Sequence, residues 1–282
     1  MSNLTLETAQ QTIHFGNDQP LVLIAGLNVL ESLELTLSTA QTIAAAARKA
    51  QIPFVFKASF DKANRSSMLS FRGPGLATGL DWLAQVRAMG VPVITDVHTP
   101  EQAPAVAEVC DILQVPAFLS RQTDLIVAIA KTGKLINVKK AQFLAPLEMR
   151  HILQKCHEAG NEQVMLCERG TSFGYNNLIV DFLGFDIMKQ LQAPLIFDVT
   201  HALQLPGAGQ SSAGGRRSGI LPLAKAGVAQ GIAGVFLEVH PDPQQAKCDG
   251  PCALALNHLS AVLEQLVELD RLVKGFAQIN TD

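Results

Sequence analysis

The stretch KASFDKANRSS, residues 57–67, sets Lys57, Lys62 and Arg65 among Ser59, Asn64, Ser66 and Ser67, directly after the apolar run at 53–56. Cations crowded in a partly dry site repel one another and lose hydration, so this spacing gives a fold nothing. It points to an anion held between them. A second group, His201, Glu238 and Asp249, combines imidazole and carboxylates in a way that suits a divalent metal. The end of the first strand, from which a fourth ligand would come, carries Asn28, whose neutral amide oxygen is a poor ligand. Without a metal the same three side chains serve as hydrogen-bonding and proton-handling groups.

Short apolar runs alternating with helical stretches must position these residues. Strands are expected at 21–25, 53–59, 91–96, 112–115, 135–138, 163–167, 194–198 and 234–239. Helices are expected at 30–50, with Ser32 as N-cap, at 76–89, from Pro100, and at 121–131, 146–159, 181–192, 220–230 and 252–276. Ahead of them QTIHFGN alternates polar and apolar residues and ends in a Gly-Asn-Asp turn, a hairpin signal at 11–18. Strand–helix units without a linker predict an α/β protein of one domain over 1–282, a closed (β/α)8 TIM barrel. An open doubly wound sheet shares the alternation, but GLNVLE after the first strand lacks the glycine cradle that a dinucleotide needs.

In a barrel the C-terminal strand ends converge on one face. Collecting them gives Asn28, Lys57, Asp96, Gln114, Lys139, Arg169, His201 and Glu238. Any one could be an ordinary solvated loop residue; a polar group at every strand end is what an active-site face requires. The cations Lys57, Lys62, Lys139, Lys140 and Arg169 suggest a substrate with more than one anionic group. A Schiff base on Lys57, Lys139 or Lys140 is the rival chemistry, but it needs only one dry lysine. A phospho-sugar binding protein would keep the cations and need no proton-handling group.

Composition narrows the class. A net charge of −3 argues against nucleic acid as the main partner. The cysteines at 110, 156, 167, 248 and 252 are odd in number and sit in apolar patterns, as in a reduced, cytoplasmic chain. Cys248-x3-Cys252 has no second pair at zinc spacing. MSNLTLETAQ has no cationic or apolar segment of a signal peptide, and no apolar run is long enough for a membrane span. The Gly/Ser-rich stretch 206–219 and the segment 240–251 have the composition either of substrate lids or of plain flexible loops.

Longer motifs carry a resemblance. IAGLNVLES at 24–32, KASFDKANRSS at 57–67, TDVHTPEQ at 95–102, ILQVPAFLSRQTDL at 112–125 and NVKKAQF at 137–143 belong to it. So do CERGTSFGYNNLIVD at 167–181, FDVTHALQLPG at 197–207, LEVHPDP at 237–243 and KCDGP at 247–251. Together they resemble the 3-deoxy-D-manno-octulosonate 8-phosphate synthases over nearly the whole chain. Related barrels, the 3-deoxy-arabino-heptulosonate 7-phosphate and sialic acid synthases, share parts of the pattern, but the uninterrupted KANRSS favours the octulosonate enzymes.

The resemblance implies a homotetrameric (β/α)8 barrel that condenses phosphoenolpyruvate with arabinose 5-phosphate in lipopolysaccharide synthesis. It assigns the enolpyruvate phosphate to Lys139, Arg169 and the backbone near Ala117, and its carboxylate to Lys62 and Ser59, with Lys57 and Gln114 nearby. Asn64 would face the sugar, whose phosphate would be held by Arg65 and Ser66 of a neighbouring subunit. His201, Asp96, Lys62 and Asn28 form the expected catalytic set, with His98 on the same rim. Metal-dependent members of the family carry Cys where this sequence has Asn28, beside the equivalents of His201, Glu238 and Asp249. Asn28 and KCDGP therefore imply a member without metal or other cofactor.

Overall fold

The computed structural model describes residues 3–207 and 214–276. Its first element is a hairpin, β1 (Leu4–Glu7) antiparallel to β2 (Thr12–Phe15). The hairpin is present but begins earlier than 11–18, because Thr8 and Gln11 close the turn by backbone and hydroxyl bonds.

The barrel follows as β3 (Val22–Gly26), α1 (Leu33–Ala50), β4 (Phe54–Lys57), α2 (Leu76–Ala88), β5 (Val93–Asp96), α3 (Ala103–Val109), β6 (Ile112–Val115), α4 (Thr123–Ala130), β7 (Leu135–Lys139), α5 (Met149–Glu158) and β8 (Val164–Glu168). A two-residue ribbon, β9 (Thr171–Ser172) with β10 (Leu178–Ile179), precedes α6 (Leu183–Lys189), β11 (Leu195–Asp198) and the single turn α7 (Val199–Ala202). The ribbon β12 (Gln204–Leu205) with β13 (Gly214–Gly215) flanks residues 208–213, so much of the 206–219 stretch lies outside the described residues. Helix α8 (Ile220–Val228), β14 (Gly234–His240), β15 (Leu254–Ala255) and α9 (Leu259–Gly275) complete the chain.

The parallel sheet runs β11-β8-β7-β6-β5-β4-β3-β14 and is closed by β11 on β14, an eight-stranded barrel without free edges. Ser32 caps α1 as expected, its hydroxyl accepting from Leu35 N at 3.2 Å. The last helix differs from the expected 252–276. Strand β14 extends to His240, beyond its pairing with β11 and β3, and Leu254–Ala255 pairs with that extension, so α9 begins only at Leu259.

Strand pleating divides the core in two. Leu23, Ala25, Phe54, Phe56, Leu113, Ile136, Val138, Leu166, Phe197 and Leu237 face the helices. Their alternates Val22, Ile24, Val55, Ile94, Ile112, Leu135, Met165, Ile196 and Phe236 fill the lumen, where Leu6, Ile13 and Phe15 of the hairpin join them. The hairpin therefore plugs the lower mouth and leaves only the strands' C-terminal ends open for chemistry.

Candidate active site

The inward parity that places Val55, Ile94, Ile112, Leu135 and Ile196 in the lumen places Lys57, Asp96, Gln114, Lys139 and Asp198 two or four residues further on. Six of the eight expected strand-end residues, Lys57, Asp96, Gln114, Lys139, Arg169 and His201, line one cavity of about 350 Å³ at this end of the barrel. Lys62, Asn64, Arg65, Ser66, His98, Ala117 and Asp249 line it too. Arg65 and Ser66 reach this wall from the same chain, whereas the resemblance implied a neighbouring subunit.

Asn28 and Glu238 lie just beneath. Gly26 must precede them, since a Cβ there would sit 2.0 Å from the Lys57 carbonyl oxygen. That close approach clamps the end of β3 to β4. Ser59 is fully buried and outside the cavity lining, because its hydroxyl is committed to Asp96. Lys140 is also absent from the lining. It points away from the lumen, its Nζ 3.0 Å from Thr171 Oγ1, 3.3 Å from the Leu144 carbonyl and 3.5 Å from Glu168.

The floor is a charge network. Lys57 Nζ donates to Glu238 Oε1 at 3.1 Å and lies 3.8 Å from Asp96. Burial opposes its charge, but Glu238 and Asp96 outweigh it and hold its pKa above the ordinary lysine value. An amine held so firmly as ammonium is a poor Schiff-base nucleophile. Lys62, 4.0 Å from Asp96, behaves oppositely: burial and then the Lys57 charge push its pKa down.

Asp96 also accepts from Gln114, which in turn accepts from Asn137 Nδ2 at 2.8 Å. Although burial disfavours its charge, Lys57 and Lys62 hold Asp96 ionised far below the usual carboxylate range.

Opposite, Asp198 joins Lys139 to His201. Its Oδ2 accepts from Lys139 Nζ and lies 2.6 Å from His201 Nδ1, while Oδ1 accepts from His201 N at 3.0 Å and caps α7. This assigns the imidazole proton to Nδ1 and leaves the lone pair on Nε2. Burial first, with Lys139 adding to it, depresses the His201 pKa despite Asp198, so the ring is neutral at pH 7. Lys139 Nζ also sits 3.7 Å from the centroid of the Phe236 ring.

Asn28 Nδ2 points at the His201 lone pair, 3.4 Å from Nε2, and donates to Asp249 Oδ2 at 3.2 Å. His201 Nε2 is 3.8 Å from Glu238 and 3.9 Å from Asp249. The group that the sequence brought together is thus contiguous, but an amide N–H occupies its centre. A metal needs lone pairs from every side; this donor set presents a hydrogen instead and does not fit a divalent ion.

Among the described residues, three buried side-chain nitrogens on or beside the cavity have no protein partner: Arg169 Nη1, Arg65 Nε and His98 Nδ1. Arg169 is only 4% exposed, with Nη2 given to Gln204. An unpartnered guanidinium nitrogen at that depth calls for anionic oxygens from a ligand. His98 is packed edge-on against Phe60 at 5.4 Å, and burial lowers its pKa.

Asp198 and Gln204 were not singled out from the sequence. Strand parity with Ile196, and a carboxylate three residues before His201, are the signals that point to Asp198; Gln204 carries none.

The DAHP synthetase I family matches residues 4–275. The 2-dehydro-3-deoxyphosphooctonate aldolase of Ectopseudomonas mendocina (strain ymp) is 64% identical over 270 residues, covering 95% of this chain and 96% of that protein. Proteins of the same name from Stutzerimonas stutzeri (strain A1501) and Azotobacter vinelandii are each 63% identical, covering 97% and 96% of this chain and 99% of their own lengths.

Proposed function

This chain belongs to the DAHP synthetase I family, and from that premise we propose the following chemistry for its cavity. The protein condenses phosphoenolpyruvate with D-arabinose 5-phosphate and water, yielding 3-deoxy-D-manno-octulosonate 8-phosphate and inorganic phosphate. It is a transferase that serves the octulosonate branch of lipopolysaccharide synthesis. Curated relatives at 61–64% identity carry the octulosonate name, so the heptulosonate reaction and a Schiff-base aldolase are not favoured.

One observation supports the site reading most: buried cations on the floor and Arg65 at the rim supply two anion sites in one cavity. Lys139 and Arg169, with backbone near Ala117, hold the enolpyruvate phosphate. Lys62 faces the carboxylate, and Lys57 and Gln114 keep Asp96 in place. Ser59 acts through Asp96 rather than on the substrate. Asn64, Arg65 and Ser66 take the sugar phosphate.

Carbon 3 of the enolpyruvate attacks the sugar aldehyde, and the Lys62 ammonium, made more acidic by burial and Lys57, protonates the carbonyl oxygen. The ionised Asp96 balances the positive charge that develops at C2. Neutral His201, its lone pair held beside Asn28, takes a proton from the water that adds there. The C2–O bond to phosphate then breaks as the C2 hydroxyl gives its proton to the departing oxygen, leaving the ketone and releasing hydrogen phosphate beside Lys139 and Arg169, and the proton held by His201 returns through solvent to Lys62. Bringing two mutually repelling anions together contributes a further share.

Asn28 supports a reaction independent of metal, its amide bridging His201 and Asp249. Among the described residues no helix is long and apolar enough to cross a membrane; a cytoplasmic homotetramer is the accompanying proposal, checked by sedimentation. The decisive assay is phosphate release from phosphoenolpyruvate with arabinose 5-phosphate or erythrose 4-phosphate, each with and without chelator. Release with the pentose phosphate, unchanged by chelator, is expected. Activity only with erythrose 4-phosphate would overturn the substrate, and loss with chelator would overturn the metal-free reading.

A further inference from the structure

The wall that carries Cys248 and Asp249 is an irregular loop between β14 and β15, with no helix or strand over 241–249. Asp249 has φ +47°, a left-handed conformation that a residue with a side chain keeps only when its surroundings hold it. Something must therefore pin this loop.

The pins come largely from one short segment after β3. Asn28 holds the Asp249 carboxylate, and three residues later Glu31 Oε1 accepts from Lys247 N at 2.9 Å. The same oxygen lies 3.4 Å from His240 Nε2. Asp242 N donates to His240 Nδ1 at 3.1 Å, which puts that ring's proton on Nε2; the Nε2–H lies near Glu31 without forming an aligned hydrogen bond to it. One carboxylate thus sits beside the strand end where the loop departs and bonds the residue just before Cys248 and Asp249. Arg217 adds a single bond to the Gly250 carbonyl at 2.7 Å from the other side. Glu31 itself does not line the cavity. Cys248 and Asp249 line the cavity together with Arg65, so the position of the loop shapes the wall beside the rim.

We propose that Glu31 is a positioning residue, setting the 240–249 loop and with it the Cys248–Asp249 wall that shares the cavity with Arg65, the receiver of the sugar phosphate. The inference rests on the condensation proposed above for the meaning of Arg65, but its geometric half does not.

Glu31→Ala removes the acceptor of Lys247 N, and Glu31→Gln keeps an amide oxygen for it while losing the charge. The Lys247 N–H is exposed, so losing its acceptor is expected to speed loop opening by roughly twofold to tenfold. Amide exchange over 241–249 should accelerate about twofold to tenfold in Glu31→Ala, with barrel strands unchanged, and less in Glu31→Gln. The KM for arabinose 5-phosphate should rise about fivefold while that for phosphoenolpyruvate stays within twofold. Unchanged exchange in both variants, or equal rises in both KM values, would overturn the proposal. Exchange is read without substrate, so accelerated exchange in a protein inactive on both substrates would sink the reaction and keep the pin. Normal exchange with full activity would do the reverse.

Discussion

Replacing Asp198 by Asn changes no volume and removes one charge, yet it strikes both sides of the site. The carboxylate accepts from Lys139, from His201 Nδ1, from His201 N and from Thr200 Oγ1 at 3.2 Å. An amide has one oxygen and a pair of hydrogens. If the oxygen faces Lys139, the hydrogens meet the His201 N–H and uncap α7. If it faces α7, the hydrogens confront the Lys139 ammonium, and His201 can accept from them only by moving its own proton to Nε2. That proton would then meet the Asn28 N–H group across 3.4 Å. Asp198 is also the only carboxylate paired with Lys139 among the described residues.

Removing one partner of a buried pair costs about 3–5 kcal/mol, and the lower end applies because the amide retains one acceptor. At roughly 2–4 °C per kcal/mol for a large domain, Tm should fall by about 6–12 °C. Loss of a correctly poised imidazole should lower kcat by roughly 10²–10⁴-fold. Phosphoenolpyruvate, which brings oxygens to Lys139, should recover part of the Tm deficit. Thermal unfolding with and without this ligand, together with steady-state kinetics, tests all three. A Tm within 2 °C of the parent and kcat within threefold would refute the reasoning.

Arg169→Ala should raise the KM for phosphoenolpyruvate, and Arg65→Ala that for arabinose 5-phosphate, each roughly 10–150-fold from one lost charge-assisted bond of about 1.5–3 kcal/mol; crossed effects would reverse the two subsites. His98 and His201 are held below the ordinary histidine value, chiefly by burial. The unfolded chain therefore binds more protons below about pH 6.5, and their share of stability, full above that pH, declines as pH falls toward the folded pKa values. Urea unfolding at a series of pH values should show this slope, and a flat profile from pH 7 to 5 would contradict it. Asn28→Cys exchanges the central N–H group for a thiolate beside His201, Glu238 and Asp249; metal analysis should find a bound divalent ion, and its absence would count against the assigned geometry.

The barrel was legible because period-two parity and glycine-bounded helices leave few alternatives at this length. Boundaries shifted where local bonding took over, as at Thr8–Gln11 and at Leu254–Ala255. The cationic face was legible because charge at a strand end is visible in a linear pattern. What each charge touches was not. Ser59 reads as a ligand and is an internal donor; Lys140 reads as a site cation and belongs to the outer layer. Asp198 reads as an ordinary strand terminus, because a carboxylate's importance lies in its two neighbours, which come from different strands. Gln204 depends on the path of a guanidinium, which no spacing rule encodes.

The adjacent lysines of β7 show how much rests on phase. Lys139 enters the lumen and Lys140 braces Glu168 on the far side, although nothing but the pleat distinguishes them. A single inserted or deleted residue within β7 would leave composition and net charge almost untouched and interchange the two roles. The ammonium now beside Asp198 would turn toward Thr171, and the scaffold's cation would enter the reaction chamber. Drift at this point is constrained less by which residue is present than by how many residues come before it.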